Sequence, residues 1–228
     1  MKTLNIVQSS HGNSLISDAD RIFAYDRCRQ VSWADFIRSH MAVLAGLDFF
    51  TVEVLTWRGL ATYYVLFFLH LETRRVTLAG ITRHPTEDWM VQMARRAVDP
   101  IDGALLPIRL VLHDRDTKFC AAFLDTLRSA GVRPLTLPAR SPNLNAFAER
   151  WVRSIKNECL SKLILFSEPS LRRAVTQFIQ HYHLERPHQG KANQLLFPAP
   201  VSPLARPAGR IRCHERLGGL LKFYQRAA

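Results

Sequence analysis

Residues 44–81 read LAGLDFFTVEVLTWRGLATYYVLFFLHLETRRVTLAGI, and this stretch decides the fold class. It divides into three apolar runs, Leu44–Leu55, Ala61–Leu71 and Arg74–Ile81. Val, Phe, Tyr and Thr recur in them, the residue types that pack well on a pleated surface. Arg58-Gly59 separates the first two runs, with Trp57 at the same hairpin tip, and Glu72-Thr73 links the last two. Links this short join antiparallel neighbours, because a parallel return needs a crossover of a dozen or more residues. The stretch therefore predicts a three-stranded meander.

Downstream the apolar period changes to that of a helix. Thr86 can cap a helix whose stripe is Met90, Met93, Ala94 and Ala97 and which stops at Asp99-Pro100. Pro107–Leu112 reads as a short buried strand. Phe119–Ala130 reads as a helix with Phe123 and Leu127 on one face, ended by Gly131, and Val132–Leu137 as another strand. The order βββαβαβ implies an α/β fold: a mixed five-stranded sheet, three antiparallel strands then two crossovers, flanked by helices. Upstream, Ser32-Trp-Ala-Asp35 has the form of a capping box opening a short helix from Trp33 to about His40. Residues 1–31 are polar and weakly patterned.

Beyond the sheet comes a break, Pro138 to Pro142, and then a long helix from about Asn143 to Cys159. Its apolar stripe is Ala148, Trp151, Val152, Ile155 and Cys159. A last helix, about Ser170 to His183, turns Leu171, Ala174, Val175, Phe178 and Tyr182 inward. From Phe197 onward Pro, Arg and Gly dominate, with one late apolar patch, LGGLLKFY. The expected organisation is a short N-terminal segment at 1–40, a core at 41–190 and a basic tail at 191–228.

Composition narrows the function class. The chain has 228 residues, 47% of them hydrophobic, with 13 Phe and 4 Trp, which is enough apolar area for a core. Cys28, Cys120, Cys159 and Cys213 are far apart and show no CxxC pairing, so they read as reduced thiols of an intracellular protein. No run is long enough for a membrane span, and the N-terminus lacks the apolar stretch of a secretion signal. The net charge is +12, and residues 133–228, with 16 basic and 5 acidic side chains, carry nearly all of the excess. A basic half joined to a near-neutral half points to a polyanion, most simply nucleic acid.

Three acids stand out by position. Asp48 lies inside an apolar strand, where a carboxylate is costly unless it is paired or binds metal. Asp114 lies just past the fourth strand, at the carboxyl edge where open α/β sheets bind ligands. Glu149 sits on the long helix opposite Trp151, with Asn145, Arg153 and Lys156 along its own stripe. Each has a plain structural reading too: Asp48 paired with a buried cation, Asp114 an Asx-turn residue, Glu149 a solvated helix residue. Together they suit hard divalent cations, which take oxygen ligands; three such carboxylates can hold two ions about 3.5–4 Å apart for in-line phosphoryl displacement. His181, His183 and His188 cluster without a cysteine at finger spacing, so a zinc site is not expected, and His113 beside Asp114 is either a substrate contact or a strand-end histidine. Of the tail arginines, Arg206, Arg210, Arg212 and Arg216 read equally as DNA contacts or solubilising charges.

Four strings, LDFFTVEV (47–54), HDRDTKF (113–119), SPNLNAFAERWVRSIKNECL (141–160) and HYHLERPHQG (181–190), carry a resemblance. They resemble the catalytic core of the retroviral-integrase-like transposases of bacterial insertion sequences, the Asp-Asp-Glu recombinases with a ribonuclease-H-like fold. The resemblance runs from about Val31 to the C-terminus. It implies that Asp48, Asp114 and Glu149 are the catalytic, Mg²⁺-binding acids and the ligands of two ions, with Mn²⁺ as a substitute, so that two-ion chemistry on DNA is expected. Asp116 stands in reserve as a ligand, because relatives often carry Asn-Gly or His-Gly where this chain has Arg115-Asp116. It implies that Asn145, Arg153 and Lys156 line the DNA. The implied activity is strand cleavage followed by 3′-OH strand transfer, with a nuclease on the same fold or a non-catalytic DNA-binding relic as alternatives. The implied partners are element ends, target DNA and further copies of the chain, in the bacterial cytoplasm at the nucleoid. Relatives carry a helix-turn-helix region ahead of the core. Here the N-terminal segment reads as a truncated or partial version of it, with a separate helix-turn-helix protein as a candidate partner.

Overall fold

The computed structural model describes residues 32–137, 145–198 and 210–226. Strands β1 (Leu44–Thr56), β2 (Gly59–His70), β3 (Val76–Thr82), β4 (Leu110–His113) and β5 (Arg133–Thr136) form one sheet in the order β3-β2-β1-β4-β5. The β1–β2 and β2–β3 pairs are antiparallel, and β1–β4 and β4–β5 are parallel. The expected meander and two crossovers are thus present. Helices are α1 (Trp33–His40), α2 (Glu87–Ala97), α3 (Ala121–Ser129), α4 (Ala146–Glu158) and α5 (Ser167–Leu184). Ser32 and Thr86 cap α1 and α2, each accepting a backbone N–H from three residues ahead. Among the described residues no helix is long and apolar enough to cross a membrane.

Away from the exposed β1–β2 hairpin end the sheet is covered on both faces, and the alternation of side chains sorts its residues between two layers. Leu44, Phe50 and Val54 of β1 join Val65, Phe67 and Leu69 of β2 in the layer containing α4 and α5. Ala45 and Leu47 join Leu66, Phe68 and Val111 in the layer containing α2 and α3. Trp151 on α4 anchors the first layer, with its ring centroid 4.4 Å from Phe67 and 5.7 Å from Phe50. These contacts set α4 across the even-numbered face of β1.

Several element limits differ from the sequence reading. β4 starts at Leu110 rather than Pro107, because residues 105–108 turn, with Ile108 N–H bonded to the Leu105 carbonyl. α5 starts at Ser167, three residues early, because Pro169 falls in the first helical turn, where its missing N–H costs nothing. α4 is described from Ala146, and the expected break at 138–142 and helix start at Asn143 lie outside the described residues, as do residues 1–31, Cys28 and Arg206.

The largest difference is at the C-terminus. Within the expected basic tail, β6 (Ile211–Arg216) and β7 (Leu221–Arg226) form an antiparallel hairpin. Leu217, Gly218 and Gly219 turn it with φ of 52°, 68° and 86°. Arg216 is neither a free DNA contact nor a solubilising charge. Its guanidinium donates to Glu185 at 2.7 Å, Gln177 at 2.9 Å and Gln180 at 2.8 Å, so it ties the hairpin to α5. Leu221 is buried in the same layer as α5.

The three clustered histidines also have structural roles. His181 pairs with Glu185 at 3.0 Å, His188 Nε2 donates to the Tyr182 carbonyl at 2.7 Å, and His183 Nε2 accepts the Val76 N–H at 2.9 Å. Burial, with Arg75 and His188 nearby, pushes His183 down to about 4. The unfolded chain takes up this proton near 6.5 and the folded chain only near 4. The contribution of His183 to stability is therefore full above pH 6.5 and is lost as pH drops from 6.5 to 4. Urea titrations across this window are expected to show the original chain losing up to about 3 kcal/mol relative to His183→Gln as pH drops.

Candidate active site

Asp48 and Asp114 are brought together by strand register. The parallel ladder pairs Leu44 with Leu110, Ala45 with Val111 and Gly46 with Leu112. Two residues further along each chain stand Asp48 and Asp114. The side-chain period of two puts both on the face occupied by Leu112 and Phe50, toward α4. Adjacent strands lie roughly 4.8 Å apart, so the two carboxylates are neighbours at the point where β4 ends.

The third acid arrives on α4. Gly46, two residues before Asp48 on the same face, is where the helix start meets the sheet. A methyl group on Gly46 would lie 2.8 Å from Asn145 Oδ1 and 3.8 Å from the Ala148 Cβ. Glycine thus permits the close approach, and the Phe50–Trp151 contact holds the helix on the other side of Asp48. Glu149 stands exposed in the first turn between these anchors, without an ion-pair partner among the described residues. Gly46→Ala is expected to cost about 1–2 kcal/mol through overpacking and to lift the start of α4 away from Asp48. The melting temperature should fall.

The electrostatics are those of crowded carboxylates. Burial pushes the Asp48 carboxyl up to about 7, and the neighbouring Asp114, Glu149 and Asp116 add to the rise. The Phe49 N–H, 2.7 Å from Asp48 Oδ1, opposes it. Asp114 is exposed, and one of its oxygens accepts the Asp116 N–H at 3.0 Å in an Asx turn. Asp116 is committed elsewhere: its oxygens accept from the Lys118 N–H at 3.0 Å and the Lys118 ammonium at 2.6 Å. Arg115 turns away to the Leu137 carbonyl at 3.2 Å. His113 is buried, bonded to the Asp114 carbonyl at 2.7 Å and to the Thr136 hydroxyl at 3.2 Å, so it supports the strand end.

Arg153 and Lys156 are exposed on α4 on the same stripe as Glu149, and the Lys156 ammonium lies 6.0 Å from the Phe50 ring centre. Asn145, expected to line the DNA, is only 8% exposed and pressed over Gly46, and its Oδ1 has no hydrogen-bond partner among the described residues. Sequence spacing put Asn145 on the Glu149 stripe but could not show that the stripe presses onto the central strand β1 at its first residue.

The donor set fits a hard divalent cation. It consists of carboxylate oxygens, one on a half-buried acid whose ionisation is opposed by burial and by like charges, beside an amide oxygen with no partner among the described residues. Among the described residues, however, no three ligand-type side chains converge closely enough to hold an ion in this conformation.

Comparison with known proteins bears on this geometry. Residues 130–194 match the integrase core domain family. The matched stretch spans β5, α4 and α5, and so includes Glu149, Arg153 and Lys156. The fold is similar to the HTLV-2 integrase catalytic core domain in complex with magnesium (trimeric form), at TM-score 0.50 and 12% identity, covering 68% of this chain and 93% of that one. It is also similar to a chain of the simian T-cell lymphotropic virus intasome in complex with PP2A regulatory subunit B56 gamma, at TM-score 0.52 and 14% identity, covering 82% of this chain and 67% of that one. No curated protein sequence matches the chain. At these identities the likeness is one of fold: a mixed α/β sheet of the ribonuclease-H-like integrase core type.

Proposed function

We propose that this integrase-core protein is a polynucleotidyl transferase that cuts DNA and joins the freed 3′-hydroxyl to a target. The observation that carries the reading is the register that sets Asp48 beside Asp114, beneath the helix bearing Glu149. These three side chains would hold Mg²⁺ or Mn²⁺, as two ions. When bound, the metal supplies Lewis-acid activation and neutralises charge on the reacting phosphodiester. Arg153 and Lys156 lie along the DNA backbone as positioning cations, and Asn145 orients the start of α4. Cleavage and strand transfer are the same in-line displacement with different nucleophiles, so one site serves both. The HTLV-2 core was studied with magnesium and the simian virus chain belongs to an intasome, which supports divalent metal use and assembly on DNA here. The sequence resemblance extends the proposal to a bacterial insertion sequence, with several copies acting at the nucleoid and a separate helix-turn-helix protein to recognise element ends.

Purified protein incubated with supercoiled plasmid in Mg²⁺, then Mn²⁺, is expected to nick it, and Asp114→Asn to abolish nicking while DNA binding persists. Nicking that survives in Asp114→Asn would overturn the assignment. Linear joined products distinguish strand transfer from simple hydrolysis.

A further inference from the structure

On the neighbouring flank of α4 lies a cavity of about 470 Å³, between that helix, the β2–β3 turn and the segment after α5. Phe147, Arg150 and Ser154, spaced i, i+3 and i+7, form its α4 wall, turned away from the stripe of Glu149, Arg153 and Lys156. Arg74, Tyr182, Arg186 and Lys191 add to its polar lining.

Its charge is only partly compensated among the described residues. Arg186, also on the wall, is held by both oxygens of Glu158 at 2.7 and 2.8 Å. Arg74 and Arg150 have no carboxylate partner among the described residues, and Lys191 bonds only the Glu72 carbonyl at 3.2 Å. The Phe147 ring holds both guanidiniums, Arg74 with its Cζ 3.6 Å from the ring centre and Arg150 at 5.9 Å. Two like charges on one ring repel each other, and burial lowers the Arg74 basicity further. The backbone is strained at the same residue: Arg74 has φ of 62°, in the left-handed region where Gly or Asn sits more easily. A large cation thus occupies a strained turn position, stacked on a ring beside a second cation, and neither has a carboxylate partner among the described residues.

We propose that this cavity binds a backbone phosphate of DNA between Arg74 and Arg150. It is a DNA contact separate from the acid cluster, and it rests on the reading of the chain as a DNA-processing enzyme. Guanidinium forks suit phosphate oxygens bidentately, and the Ser154 and Tyr182 hydroxyls supply further donors. The site carries no sequence information and would fix the register of the duplex on the protein.

The test is binding of a fluorescein-labelled duplex, followed by anisotropy over a salt titration, for the full chain and for Arg74→Asn combined with Arg150→Gln. Asn tolerates the left-handed turn and position 150 is exposed on a helix, so the variant should fold, which circular dichroism checks. The expected result is roughly tenfold weaker binding at low salt, with the slope of log K against log salt reduced by about one. Unchanged affinity and slope in a folded variant overturn the proposal. Inorganic pyrophosphate is the second probe. A thermal shift that the variant abolishes, with DNA binding untouched, assigns the cavity to free phosphates and also overturns it. Plasmid nicking by the unaltered chain reports separately on the acid cluster, so failure there and failure here are distinguishable.

Discussion

Glu149→Gln is expected to lower metal-dependent nicking by at least about 1000-fold while leaving duplex affinity within a few-fold of the original. Lewis-acid stabilisation of the displacement is worth several kcal/mol, and each 1.36 kcal/mol is tenfold in rate. Glutamine keeps the shape and helix propensity of the residue, and Glu149 is exposed without a described ion-pair partner, so the fold has little to lose. Affinity for DNA should hold or rise slightly, because a negative charge is removed from the stripe of Arg153 and Lys156. Plasmid nicking, with anisotropy on the same preparations, checks both halves. A variant with undiminished nicking would remove Glu149 from the metal set.

Asp48→Asn is expected to do the opposite to stability and the same to activity. The unfolded chain ionises Asp48 near 3.8, whereas the folded chain keeps the proton until about 7. Between those values the folded state binds more protons at Asp48, so this group's contribution to stability falls as pH rises from 4 to 7 and stays low above. Asparagine removes the titration and can still accept the Phe49 N–H. At pH 8 the metal-free variant should be about 2–4 kcal/mol more stable than the original, with the pH slope between 4 and 7 flattened. Added Mg²⁺ should raise the melting temperature of the original chain and not that of the variant. Equal stability of the two at pH 8 without metal would contradict the crowded-carboxylate account. A site that gains stability on losing its charge is one held for chemistry rather than for folding.

The parts of this fold that were legible share a physical basis: each was written in local pattern. The three apolar runs with short links carried the meander, Thr86 and Ser32 carried helix starts, and the stripes of α4 and α5 carried their buried faces. The hairpin β6–β7 was missed because Ile211–Arg216 has almost no buried face and hence no alternation to detect. Gly218-Gly219 between two six-residue runs was the available signal. Asp114 and Asp116 were adjacent candidates in sequence, and it was the Lys118 contact that occupied Asp116. Asn145 shared a helical stripe with Glu149, but Gly46 beneath it made that end of the stripe a packing contact.

The sequence by itself determined the strand and helix order, the excess of basic charge in the second half, and which three acids were worth pairing. These follow from side-chain period, turn length and composition, all of which act over a few residues. Only the tertiary structure decided that Asp48 and Asp114 face each other and that Arg74 and Arg150 share one ring. It also decided that Arg216 is a tether. Those facts depend on strand register and helix placement, which are set by the packing of Phe50 and Phe67 against Trp151 and by the close approach at Gly46. Such contacts join residues far apart along the chain, where local period carries no information about which side chains will meet.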